Sequence, residues 1–145
     1  MRYLGVSSSG GGNLDYEITL VLYRDTNGIP ILSPPMGVKV FDLQTHTPLS
    51  VVINMKKVAP ETLLKFGDSC FMPKNLTFEE YVYRDTIELS IYSSDGYYVA
   101  WETCCRNNLI NNVDNPGSTG TTFRSKIWIS DNNFANLENS SPTFG

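Results

Sequence analysis

Apolar and polar residues alternate in a series of short stretches along the chain. Residues 16–23 read Tyr-Glu-Ile-Thr-Leu-Val-Leu-Tyr, so Tyr16, Ile18, Leu20 and Leu22 share one side of an extended backbone. Alternation of this kind marks a strand with one buried face. The pattern recurs over 37–42 and over 50–55, where Val51, Ile53 and Met55 face inward. It returns over 86–91 (Ile87, Leu89, Ile91), 97–102 (Val99, Trp101) and 123–129 (Phe123, Ile127, Ile129). Arg2-Tyr3-Leu4 reads as a further strand start. Ser93-Ser94-Asp95-Gly96 is a turn signal, so the stretches on either side of it are predicted to pair as a hairpin. Asp25-Thr26-Asn27-Gly28 and Thr45-His46-Thr47-Pro48 supply other turns, and Pro30, Pro34 and Pro35 exclude a central strand between them. Residues 59–67 are the one helical-looking stretch, with Pro60 suited to a first turn and Gly67 to a C-terminal cap. Residues 7–13, Ser and Gly closed by Asn13, read as a flexible, linker-like loop with no helix pattern after it to present amides to a phosphate.

About seven short strands with frequent turns and no internal repeat predict an all-β fold. The expected architecture is an Ig-like or cadherin-like antiparallel β-sandwich with one short helical turn, a single module over residues 1–145. The length is that of one domain and is enough to enclose a core. Composition agrees: Tyr, Phe, Thr, Val and Ile fit a pleated surface, and Asn, Gly, Ser and Pro supply turns.

Charge narrows the function classes. The net charge is -4, and Lys56-Lys57 is the only adjacent basic pair. No basic cluster exists to neutralise phosphates, so a nucleic-acid partner is not expected. No apolar run reaches the ~18 residues of a membrane helix, so no membrane span is expected. The N-terminus lacks the basic and apolar regions of an export signal, which leaves a cytosolic protein or one whose signal lay upstream. Met1 set directly on a strand start favours the second, a fragment of a longer chain.

Catalytic candidates are few. His46 is the only histidine and sits in a turn-rich loop, where an exposed, uninvolved ring is the simpler reading. Glu79 and Glu80 would point to opposite faces of a strand, which unsuits them for paired acid–base work. With no phosphate loop and no ligand set for zinc, the chain is expected not to be an enzyme and to need no cofactor. Its three cysteines, Cys70, Cys104 and Cys105, allow one bridge from Cys70 to either of the others, or three reduced thiols. Two loop regions are rich in oxygen ligands: residues 107–115, and Asp131-Asn132-Asn133 with Glu138-Asn139. Calcium takes such ligands, although Asn-rich loops also serve simply as turns. Tyr81, Tyr83, Tyr97, Tyr98 and Trp128 are candidates for an outward aromatic face that meets sugar or protein, with cross-strand aromatic pairing as the alternative.

The segment Trp101-Glu102-Thr103-Cys104-Cys105-Arg106-Asn107-Asn108, followed by Asn115-Pro116-Gly117-Ser118-Thr119-Gly120, resembles a module of very large secreted Bacteroidetes surface proteins. These carry PKD or other Ig-like repeats and a gliding-motility-associated C-terminal sorting domain. Tyr16-Glu17-Ile18-Thr19-Leu20, Leu22-Tyr23-Arg24-Asp25, Glu79-Glu80-Tyr81-Val82-Tyr83-Arg84 and Asn139-Ser140-Ser141-Pro142-Thr143-Phe144 extend the likeness over most of the chain. The resemblance implies an extracellular, cell-surface location and a structural or adhesive role among neighbouring domains of the same chain. Thr26 and Phe78 stand where that family often has cysteines. Their loss as a set would leave Cys70 to pair with Cys104 or Cys105, or the two neighbours to pair with each other. The C-terminal Asn-Ser-Ser-Pro-Thr-Phe is also similar to the ends of cadherin-like domains. That likeness implies Asp131, Asn132, Glu138 and Asn139 as half of an interdomain calcium site. The expected function is a non-catalytic structural or adhesion module that contacts a surface glycan or protein. The alternative is a carbohydrate-binding module of a secreted polysaccharide-degrading enzyme.

Overall fold

The computed structural model describes residues 1–28, 30, 36–60, 62–65, 77–91, 95–106 and 110–129. The strands are β1 (Arg2–Val6), β2 (Leu14–Asp25), β3 (Met36–Asp42), β4 (Pro48–Lys57), β5 (Thr62–Lys65), β6 (Thr77–Leu89), β7 (Gly96–Thr103) and β8 (Thr121–Trp128), with a 3₁₀ turn at Pro116–Ser118. All pairings are antiparallel, in the order β1-β2-β6-β4-β3-β7-β8, with β5 also on β6. The sheet curls so that β1, β2 and β6 on one side and β3, β7 and β8 on the other enclose a common core, with β4 as the link. The fold is all-β and sandwich-like.

The core is the set of alternating positions that the sequence marks. Tyr16 and Ile18 of β2, Val38 and Val40 of β3, Ile53 and Met55 of β4, Ile87 and Leu89 of β6, Val99 of β7 and Ile127 are all buried in one cluster. Burying each such side chain contributes roughly 1.5–3 kcal/mol relative to exposure. Two residues expected inside are not covered: Val51 is 48% exposed and Phe123 56% exposed.

The predicted hairpin over 86–91 and 97–102 does not form. Residues 86–89 are the end of the long strand β6, which pairs with β2 along its length, from Asp25↔Phe78 to Leu14↔Leu89. β7 pairs with β3 and β8 instead. The link between β6 and β7 therefore crosses from one side of the curl to the other, and the Tyr97 hydroxyl braces it by donating to the Ser90 carbonyl at 2.9 Å. A long ladder with a buried face outweighs the preference of a local turn. The helical-looking stretch also differs. Thr62–Lys65 is strand β5, laid against Thr77–Glu80 of β6. A helix there would leave that edge of β6 without its ladder, and a few tenths of a kcal/mol of helix propensity per residue cannot offset lost backbone bonds. The helical turn lies at Pro116–Ser118 instead.

Candidate functional site: a basic aromatic face and a surface cysteine pair

Inward residues fix the outward ones. Val38 and Val40 of β3 enter the core, which turns Lys39 and Phe41 outward. Tyr97 and Val99 of β7 do the same for Tyr98, and Ile127 does so for Lys126 and Trp128, with Arg124 on the same face of β8. Register brings these residues together: Phe41 lies opposite Tyr98, Tyr98 opposite Lys126, and Ala100 between Lys39 and Arg124. The Phe41 and Tyr98 rings stack at 4.9 Å and 6°. The Arg124 guanidinium covers the Tyr98 ring at 5.5 Å. His46, at the tip of the β3–β4 loop, meets the same ring edge-on at 5.9 Å. The Lys126 ammonium lies 4.9 Å over Trp128, whose side chain is half exposed. Each cation–ring contact contributes about 0.5–1 kcal/mol at an exposed site. The result is an outer face on which Lys39, Arg124 and Lys126 gather beside aromatic rings, in a chain that is acidic as a whole.

The aromatic row expected from sequence is only partly here. Tyr83 and Tyr97 are core residues, 1% and 5% exposed. Tyr81 packs partly against the core, and its hydroxyl donates to Glu79 at 2.9 Å. Tyr98 and Trp128 do face out. Inward parity shared with Ile87 and Val99 excludes Tyr83 and Tyr97 from the surface. Lys39, Phe41, Arg124 and Lys126 were missed by sequence reading. The signal for Arg124 and Lys126 was Arg124-Ser125-Lys126-Ile127-Trp128, a basic and aromatic set on the side opposite Ile127.

The cysteines sit just past β7. Cys104 and Cys105 are bonded to each other, and both are exposed. Of the bridges left open by sequence this is the neighbour pair; Cys70 lies outside the described residues. Cys105 holds the left-handed backbone, φ 72, that residues other than Gly rarely adopt. Arg106 closes the loop behind the pair: its amide donates to the Pro116 carbonyl at 3.0 Å and its Nε to the Gly120 carbonyl at 3.2 Å.

The Asn-rich loop acts as a turn where it is described. Asn115 is left-handed, φ 47, and its carbonyl accepts the Ser118 amide at 2.8 Å and the Thr119 hydroxyl at 3.1 Å. Asp131, Asn132, Glu138 and Asn139 lie outside the described residues, as do Asn107 and Asn108. No group of three or more His, Cys, Asp and Glu placed to hold a metal ion occurs among the described residues. Glu79 and Glu80 separate as expected. Glu79 is salt-bridged to Arg24, directly across the β2–β6 ladder. Glu80 hydrogen-bonds Tyr23 on the other face and thereby raises the Tyr23 hydroxyl above its ordinary range.

The Ser/Gly loop is not a loose linker. It closes on one carboxylate: Ser7 and Ser9 donate to Glu88 Oε2 at 2.7 and 2.8 Å, and Asn13 donates to Oε1 at 2.6 Å. Gly10, Gly11 and Gly12 all have positive φ, the backbone this tight return requires. Hydrogen bonds from Ser7, Asn13 and Ser9 hold the Glu88 carboxyl below its ordinary pKa of 4.5. A lowered folded value means the clasp is fully present above pH 4.5 and is lost as pH falls through that lower value. An NMR titration of the Ser7 and Asn13 side chains is expected to show a step with its midpoint below 4.5, absent in Glu88→Gln. A midpoint at or above 4.5 would contradict the clasp.

Comparison of the chain with protein-family models, with curated proteins and with solved structures finds no match.

Proposed function

We propose that the chain is a non-catalytic structural or adhesion module of an extracellular, cell-surface protein, as its resemblance to secreted surface modules implies. The outer face of β3, β7 and β8 carries the reading. Lys39, Arg124 and Lys126 beside Tyr98 and Trp128 form a surface suited to contact, with cations for acidic groups and rings for apolar ones. The exposed Cys104–Cys105 bridge fits an oxidising compartment. A second reading, a carbohydrate-binding module of a polysaccharide-degrading enzyme, is favoured by the half-exposed Trp128 ring under the Lys126 ammonium.

Affinity electrophoresis against neutral and acidic polysaccharides tests the second reading. Retardation that weakens at least tenfold in Trp128→Ala supports the carbohydrate reading, and migration unchanged by every glycan removes it. Alkylation mapping without reductant tests the compartment. Of the three cysteines, Cys70 alone is expected to be modified in protein recovered from outside the cell. Modification of Cys104 and Cys105 there would contradict the extracellular reading.

A further inference from the structure

β4 and β6 begin as paired strands and then come apart. Lys57 lies opposite Tyr83 and Lys56 opposite Arg84, and the Val58 amide donates to the Val82 carbonyl at 3.0 Å. The register then stops. Continued, it would place Asn54 opposite Thr86 and Val52 opposite Glu88. Those residues, with Val51, Ile53, Lys56, Asp85 and Ile87, instead line an open cleft of about 490 Å³.

Backbone parity shows which peptide groups face it. Alternate residues of an antiparallel strand bond to alternate sides. The Thr77 carbonyl accepts from Thr26, on the β2 side, so the odd-numbered residues of β6 serve β2. The Val82 carbonyl accepts from Val58, so the even-numbered residues serve the other side. That side is covered by β5 at Phe78 and Glu80 and by β4 at Arg84. Among the described residues no strand covers it at Thr86 and Glu88. The Thr86 amide is bonded instead to the neighbouring Asp85 carboxylate at 2.9 Å. On β4 the same parity, counted from Val58, turns the Asn54 and Val52 peptides into the cleft, while Ile53 and Met55 bond toward β3. Two rows of edge peptide groups therefore face each other across the gap, in a register set by the pairing that precedes it.

The cleft also has an inner floor. Asp85 shares the inward face of β6 with Tyr83 and Ile87, and Val51 shares that of β4 with Ile53, yet Val51 is left half bare. The outward carboxylate, Glu88, is already engaged by Ser7, Ser9 and Asn13.

We propose that this cleft receives an extended β-strand from a partner polypeptide, completing the sheet between β4 and β6. Main-chain bonds to Val52, Asn54, Thr86 and Glu88 would hold it, as in other strand additions. Charge and apolar complementarity specify its inward side chains: a basic residue against Asp85, followed at alternate positions by apolar residues against Ile53 and Val51.

The test uses the full chain with acetyl-Thr-Lys-Thr-Val-Thr-Val-Thr-amide and its sequence-reversed form, followed by amide hydrogen exchange. The expected result is that one orientation slows exchange at Val52, Asn54, Thr86 and Glu88 at least tenfold at millimolar peptide. A peptide N-methylated at alternate backbone positions should leave exchange unchanged, and Asp85→Asn should weaken binding several-fold. Val52→Pro removes an amide that faces the cleft, so it should keep the melting temperature and abolish peptide binding. The proposal is overturned if neither orientation slows these amides or if the N-methylated peptide binds as well. Slowing that appears without peptide and grows with protein concentration would also overturn it, by making a second copy the occupant.

Discussion

Gly96→Ala is expected to destabilise the protein by about 2–6 kcal/mol. Gly96 opens β7 opposite Trp128 of β8, with φ 105. A Cβ there would overlap the Ile127 carbonyl oxygen and stand 2.8 Å from the Ile129 amide nitrogen. Both obstacles are backbone, held between a core residue and the β7–β8 ladder, so neither can swing aside as a flexible side chain would. Two costs add: about 1–3 kcal/mol for a side chain at a disallowed φ, and about 1–3 kcal/mol for forced overlap in a packed region. A domain of this size loses roughly 2–4 °C of melting temperature per kcal/mol, so a drop of roughly 4–24 °C is expected. Gly37→Ala is the control, because its added Cβ would meet only Val52 Cγ1 at 3.6 Å, an ordinary contact. Thermal or urea unfolding of the two variants checks the pair. Equal and small losses in both would show that the β7–β8 ladder can shift at Gly96.

The sequence announces Gly96 as part of a turn, of which Ser93 and Ser94 lie outside the described residues, and Gly96 itself opens β7. The hairpin expected from it does not form, because a turn signal says nothing of which strand receives the chain. Strand existence follows from period-two patterning, which Ile18, Val38, Ile53, Ile87, Val99 and Ile127 all obey. Partner choice depends on pairing between distant segments, so β6 joins β2 rather than β7 with no local mark of the choice. The strand β5 is misread for the same reason: Thr62–Lys65 takes its state from the edge of β6 it covers. The candidate site divides likewise. The Cys104–Cys105 pair is adjacent in sequence and legible there as one alternative among others. The basic aromatic face is assembled from β3, β7 and β8, and only the register of three strands brings Phe41, Tyr98 and Lys126 side by side. The clasp on Glu88 is least legible, since Ser7 and Glu88 lie far apart in the chain and meet only through the β1–β2 return.

Tyr16→Ala is expected to cost about 3–5 kcal/mol, the range for removing a large aromatic side chain from a core. Tyr16 is fully buried near the start of β2, opposite Ile87, and its ring lies 5.5 Å from that of Tyr3. Tyr16→Phe keeps the ring and separates the part played by the hydroxyl. Burial, and to a lesser degree the nearby Tyr3, pushes the Tyr16 hydroxyl from 10.0 up to about 12. The folded state thus favours the neutral phenol. Its contribution is fully present below pH 10.0, the unfolded value, and is lost as pH rises toward 12. Wild-type stability should therefore fall across that alkaline window, and Tyr16→Phe should fall less steeply because it has no proton to lose there. Urea unfolding from pH 9 to pH 12 measures both slopes. Parallel slopes would mean that the Tyr16 hydroxyl ionises as readily folded as unfolded, and so that its ring is not shut off from water in the way the packing of β2 on β6 requires.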